Sequence, residues 1–188
     1  MSAANSRSET ADITSRIDSL DWASLESQLD EQGFVRTGEP VLTRDECREL
    51  TGLYYDENRF RSRIEMERYR FGAGEYKYFG RPLPDPIESL RVAVYPHLVD
   101  TANRWATSLG KKERYPSGLA SFLATCHNRG QVRPTPLILR YEAGDYNCLH
   151  QDLYGDIAFP LQMTCILSAP GQDFTGGEFL LVEQRPRA

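Results

Sequence analysis

The sequence predicts an α+β fold, with helices in the first two thirds and sheet strands after them, on three observations. Apolar residues recur at helical spacing between Ile13 and Cys126, Gly and Pro then punctuate the chain, and after Gly130 the apolar residues gather in short runs rich in β-formers. At 188 residues and 21.4 kDa, with 40% hydrophobic and 26% charged side chains, the chain is long enough for one domain with a sizeable core. One domain is expected over residues 12–188, a helical support layer to about residue 130 and strands from about residue 131.

Each element follows from local chemistry. Residues 1–11 are polar and small, which predicts a flexible N-terminus. From Ile13, the spacing of Ile17, Leu20, Leu25 and Leu29 marks one amphipathic helix, closed by Gly33 in the C-cap role. Phe34–Thr37 reads as a short strand. Thr43 and Glu46 form a capping box with Leu42 and Cys47 as its hydrophobic staple, so a second helix runs to about Glu57. Alternating Tyr and Phe around Gly72 and Gly74 predict a hairpin over 67–80. Asp85 and Pro86 open another helix, whose apolar spacing runs through Leu90, Val94, Leu98 and Trp105 to Leu109, with a kink or split expected at Pro96. A further helix spans Leu119–His127. Strands are expected at Pro136–Tyr141, Phe159–Leu167 and Glu178–Val182, between turns rich in Gly, Pro and Asp.

Composition excludes several classes. No run of eighteen apolar residues could span a bilayer, and Met1–Glu9 lacks the apolar stretch of a secretory leader, so no membrane partner and a cytoplasmic location are expected. The four cysteines, Cys47, Cys126, Cys148 and Cys165, form no CxxC pair and suit a reducing compartment. Net charge is -5 but uneven: residues 59–81 hold seven bases against three acids. Those bases, Arg59, Arg61, Arg63, Arg68, Arg70, Lys77 and Arg81, alternate with Phe60, Tyr69, Phe71, Tyr76, Tyr78 and Phe79. A nucleic-acid strand would find phosphate partners and stacking faces there, whereas an ordinary hairpin with an aromatic inner face has the same composition.

The chemistry concentrates in Leu139–Asp152. On an extended segment, residues two apart point to the same side, so His150 and Asp152 can bring an imidazole and a carboxylate to one cation. A non-haem Fe(II) oxygenase needs such a pair and a second His, which leaves open positions on the metal. On the residues alone the alternative stays open: His150 as a strand-end histidine, Asp152 as a turn residue before Gly155, and Gly176–Gly177 as a tight hairpin. His97, beside Pro96, and His127, at a helix end that favours its charge, read as structural.

Tyr141-x-x-Gly144, the pair His150 and Asp152, an apolar run and then Phe174–Phe179 with its two glycines together resemble the 2-oxoglutarate and Fe(II)-dependent dioxygenase superfamily over residues 137–182. Prolyl-hydroxylase-like members carry a tyrosine ahead of the HxD pair and a Gly-Gly turn after it. The stretch Arg140–Asp152 is also similar to AlkB-type nucleic-acid demethylases, and the whole chain resembles a bacterial group classed as oxygenases of damaged nucleic acid. The resemblance implies a double-stranded β-helix, a cupin-like jelly roll, resting on the helical layer. It implies Fe(II) held by the catalytic pair His150 and Asp152, and 2-oxoglutarate contacted by Tyr141, with Tyr146 and Thr164 as further candidate cofactor-binding residues nearby. With O2 the cosubstrate is consumed to succinate and CO2, and a substrate C–H is oxidised, by hydroxylation or by demethylation of an alkylated base.

The same resemblance implies a second His on a later strand and a basic residue for the far carboxylate of 2-oxoglutarate. No His follows Asp152, and Arg185 and Arg187 come too soon after the Gly-Gly turn. Four further strands, roughly 40 residues, would complete the β-helix. The sheet is therefore expected to be unfinished at Ala188 and the 188-residue chain inactive by itself. Three accounts follow: a truncated oxygenase, a site completed by His127, or a non-catalytic binding module. Nucleic acid is the expected partner if the Arg59–Arg81 stretch flanks the iron, and a prolyl side chain or small metabolite if it does not.

Overall fold

Aspartates decide where the first helices begin. In a computed structural model that describes residues 12–112, 114–152 and 155–183, the Asp12 carboxylate accepts from the Ser15 N–H at 2.7 Å and opens α1 (Ile13–Asp18). Asp21 accepts from the Ser24 N–H at 3.1 Å and opens α2 (Trp22–Gln32). The helix expected from Ile13 through Leu29 is therefore two, because Asp21 caps a fresh start and the Trp22 indole N–H fixes the corner by donating to the Ile17 carbonyl at 2.8 Å. Gly33 ends α2 in the left-handed conformation at φ 77°, as the sequence predicts. The strand expected at Phe34–Thr37 does not form, for it gains no ladder partner among the described residues. The flexible N-terminus expected over 1–11 lies outside them.

The capping box forms in both directions. The Thr43 N–H donates to Glu46 at 2.7 Å and the Glu46 N–H donates to Thr43 Oγ1 at 3.2 Å, starting α3 (Arg44–Leu53). α3 stops short of Glu57 because Asp56 caps a 3-10 turn, Glu57–Arg59, that feeds the first strand. Glu46 has a second role: buried Arg16 of α1 reaches it with both carboxylate oxygens within 2.7 Å and donates its Nε–H to the Val41 carbonyl at 2.8 Å. That ion pair locks α1 to the start of α3 around Ile17, Leu42 and Leu50. Leu90 and Val94 of α5 (Asp85–Ser108) close the same core. α5 is not split at Pro96. Proline withdraws the N–H that would serve the Val92 carbonyl, but both residues are exposed, so water can serve it instead. α6 (Leu119–Asn128) follows where the sequence predicts it.

The main sheet has strand order β1-β3-β4, with β1 Phe60–Glu65, β3 Glu75–Phe79 and β4 Leu137–Arg140, all antiparallel. The hairpin expected within 67–80 thus has its first arm earlier, at β1. Fully buried Met66 starts a single helical turn, α4 (Met66–Tyr69), and β2 (Gly72–Ala73) turns aside to pair with β5 (Tyr146–Asn147). Between sheet and helices lie Phe79, Leu83, Tyr54 and Ile138. Lys77 is buried at their side. Its ammonium donates to the Tyr54 carbonyl at 2.9 Å and to Glu57 at 2.6 Å, and sits 4.3 Å from the Tyr54 ring centroid.

Helices and two small antiparallel sheets make the fold α+β, as the sequence predicts. The strands expected at Phe159–Leu167 and Glu178–Val182 do not form among the described residues, and no double-stranded β-helix is built from them. Strand propensity needs a neighbouring ladder to be realised, and these segments have none. Cys165 and Leu167 still turn inward onto the helical core while Thr164 and Ile166 face water, and Phe179–Val182 is exposed throughout. No described helix is long and apolar enough to cross a membrane.

Burial raises the affinity of the Glu46 carboxyl for its proton, but hydrogen bonds from Arg16 and Thr43 outweigh it and hold Glu46 below the usual carboxylate range. Glu46→Ala, which strands a buried guanidinium, is expected to cost about 3 kcal/mol in denaturant unfolding at pH 7. Because the folded-state value is depressed, the stabilisation is whole above the ordinary glutamate value of about 4.3 and fades as pH falls below it. The stability gap between wild type and Glu46→Gln should therefore shrink from pH 7 to pH 3.

Candidate functional site

Two glycines bring the segment 140–148 against the sheet. A side chain at Gly72 would meet the Tyr146 carbonyl oxygen at 2.1 Å, so only glycine admits the β2–β5 pairing. Gly74, at φ 119°, leaves room for the Tyr141 ring, whose Cδ1 lies 3.0 Å from where a Cβ would stand. The Cys148 N–H then donates to the Phe71 carbonyl at 2.7 Å and carries the pairing one residue further. Downstream, Gln131 clamps the chain after the site: its side-chain amide donates to Ile157 O at 2.9 Å and accepts from Ile157 N–H at 3.0 Å. Phe159 completes that anchor within a ring cluster of Tyr95, Tyr115 and Phe122.

Between these anchors stand His150 and Asp152. His150 Nδ1 lies 2.7 Å from the Cys148 carbonyl oxygen, which can only accept, so Nδ1 carries the ring proton. In a neutral ring Nε2 is then a lone-pair atom, and it faces Asp152 Oδ1 at 3.4 Å. Two acceptors cannot bond to each other; a proton on Nε2 or a shared cation joins them. Neighbouring ligands at about 2.1 Å from one metal stand about 3 Å apart, so the pair fits two adjacent positions of such an ion with little movement. Both side chains are 45% exposed and thus open to solvent-borne ligands.

The other predicted residues gather less closely. Burial raises the Tyr141 phenol, a hydrogen bond with Asn147 partly offsets it, and Asp145 adds to the rise, so the group stays protonated as a donor. Tyr146 lies on β5 and is exposed. Thr164 is exposed on the outward side of its extended segment and, among the described residues, makes no side-chain hydrogen bond. No group of three or more His, Cys, Asp or Glu among the described residues could hold a metal. His97 is committed elsewhere, stacked on Trp22 at 4.3 Å and 2.9 Å from Asp18, and His127 stays on α6, so neither completes the triad there. Sequence reasoning missed the Cys148 carbonyl, Gly74 and Gln131; only the repeated glycines at 72 and 74 gave any signal.

The profile of a family described as "Oxygenase, catalysing oxidative methylation of damaged DNA" matches residues 74–188, from the tight glycine through α5, α6 and the HxD pair. The chain belongs to this oxygenase family. Two uncharacterized proteins, from two strains of Mycobacterium tuberculosis, are each 53% identical to it over 110 residues, 58% of this chain and 47% of theirs. The chain thus spans about half the length of the curated relatives it matches. No solved structure matches it.

The basic stretch of this oxygenase-family chain is not a free cationic track. Arg59 pairs with Asp56, Arg63 with Glu75, Arg68 with Glu65 and Lys77 with Glu57, while Arg61 donates to the Pro134 carbonyl and lies over the Tyr78 ring. Arg61, Arg70 and Arg81 have no acidic partner among the described residues, and of these Arg61 is held by the carbonyl and the ring. Beside Tyr141 a shallow cleft of about 330 Å³ is lined by Glu65, Glu67, Gly74, Glu75, Arg140, Glu142 and Asp145, and its acids repel phosphate.

Gly72→Ala is expected to break the β2–β5 pairing while leaving the main sheet intact. Amide exchange read by NMR should then accelerate at Cys148 by about tenfold or more, with β3 amides unchanged, since only the local opening free energy falls.

Proposed function

We propose that this chain carries part of an Fe(II) and 2-oxoglutarate-dependent oxygenase centre that acts on damaged nucleic acid. The observation that supports this most is the HxD pair, with His150 Nε2 facing Asp152 Oδ1 at 3.4 Å and the Cys148 carbonyl behind the ring. The family description supplies the substrate class. His150 and Asp152 would hold the iron; with 2-oxoglutarate it supplies O2 activation and oxidation of a substrate C–H. Tyr141, kept protonated, would donate to a carboxylate of the cosubstrate. Tyr146 and Thr164, both exposed, stay as further candidate contacts for the cosubstrate.

The described residues supply two protein ligands and no third. On this reading, metal affinity of the 188-residue chain is modest, and a chain extended to the length of its relatives should bind iron more tightly. A binding module without catalysis would show no such gain.

Anaerobic calorimetry is the direct test. Fe(II) should bind the wild type, more tightly with 2-oxoglutarate present, and His150→Ala or Asp152→Ala should weaken binding by about tenfold to 100-fold. Tyr141→Phe should weaken 2-oxoglutarate binding by about tenfold, the value of one hydrogen bond to a charged group, and leave Fe(II) affinity alone. Iron binding that is insensitive to both ligand substitutions would overturn the assignment.

A further inference from the structure

We propose that Tyr69 and Phe71 form a stacking surface for one unpaired base of single-stranded nucleic acid, with Arg70 beside it for a phosphate. The substrate class rests on the oxygenase reading; the geometry does not.

The two rings are stacked, centroids 5.6 Å apart and planes 19° from parallel, yet they remain 56% and 42% exposed and belong to neither core cluster. Arg70 between them is left-handed at φ 59°, which turns the chain so that both neighbours present their rings on one side. Its guanidinium has no acidic partner among the described residues. The fold thus leaves an ordered aromatic face and a free cation in water, the combination that takes a base and its phosphate.

The surface is tied to the candidate site. The Phe71 N–H donates to the carbonyl of fully buried Met66 at 3.0 Å, and the Phe71 carbonyl accepts from the Cys148 N–H, two residues before His150. Tyr146, also exposed, lies opposite Ala73 in the same short sheet. A base held on these rings is therefore fixed relative to the HxD pair by one hydrogen-bonded ladder.

Charge decides how the strand is held. Four of the seven bases between Arg59 and Arg81 face their own acids, and the neighbouring cleft is acidic. Stacking with a single ion pair gives a salt slope for single strands of about -0.7, whereas a seven-base track gives about -5.

Fluorescence anisotropy of a labelled single-stranded oligodeoxynucleotide, titrated with the 188-residue chain at several salt concentrations, tests the proposal. The expected result is binding with a slope near -0.7, weakened about tenfold or more in the Tyr69→Ala, Phe71→Ala double variant and retained in Tyr69→Phe. Unchanged Cys148 amide exchange and thermal unfolding in the double variant establish that the fold is intact. No binding by the wild type, a slope near -5, or a double variant within twofold of wild type overturns the proposal, including the case in which that variant loses only self-association. Fe(II) titration of the same samples separates the two readings: base binding without iron binding overturns the oxygenase reading alone, and iron binding without base binding overturns this one alone.

Discussion

The residue pairs Glu75–Arg140, Tyr76–Leu139, Lys77–Ile138 and Tyr78–Leu137 join β3 to β4, and the position of everything from Tyr141 to Asp152 depends on that ladder. A slip of one residue would turn buried Ile138 to water and send exposed Leu139 inward. The side chains of β3 oppose any slip. Glu75 accepts from the Tyr54 hydroxyl at 2.5 Å and from Arg63, and faces Arg140 at 3.5 Å. Burial alone would raise its pKa, but those donors outweigh burial and keep it ionised. Lys77, two residues on, is held by a carbonyl, a carboxylate and a ring. One strand therefore fixes the helical layer on one side and the candidate site on the other.

From that strand outward, positioning passes from side chains to backbone. Gly72 and Gly74 remove the only atoms that would keep the 140–148 segment away, and a carbonyl, not a side chain, sets the His150 tautomer. Sites oriented by backbone tolerate varied neighbours, which suits a pair that lies exposed. Acids around the cleft and ion pairs along β1 and β3 leave no continuous cationic track there, so the proposed base contact rests on stacking.

Local chemistry was legible in the sequence and long-range pairing was not. Thr43 with Glu46, Gly33 and the Asp85–Pro86 start all act within one turn, and each forms as predicted. Asp21 was missed because the apolar spacing continues smoothly from Leu20 to Leu25 across the break. β1 was missed because its alternation is masked by arginines, and their partners, such as Glu75 for Arg63, lie far along the chain. Phe159–Leu167 and Glu178–Val182 have strand composition without a strand, since pairing is a property of two segments and composition of one. The HxD pair was readable from its spacing and resemblance, whereas its orientation depends on Cys148 O and could come only from coordinates.

Anchoring on both sides changes what ligand binding costs. Ordering a free residue costs about 1–2 kcal/mol, so five unrestrained residues over 148–152 would consume most of the energy of a weak metal contact. Here Cys148 is already bonded to Phe71, and Ile157 is already clamped by Gln131. His150 is bonded back to Cys148, so the imidazole needs no search. The remaining adjustment is the closing of Nε2 and Oδ1 from 3.4 Å onto a shared ion, which side-chain rotation of Asp152 can supply. If the pair takes a cation as proposed, it does so without reorganising the sheet, in a geometry that the glycines and the β3–β4 ladder have already set.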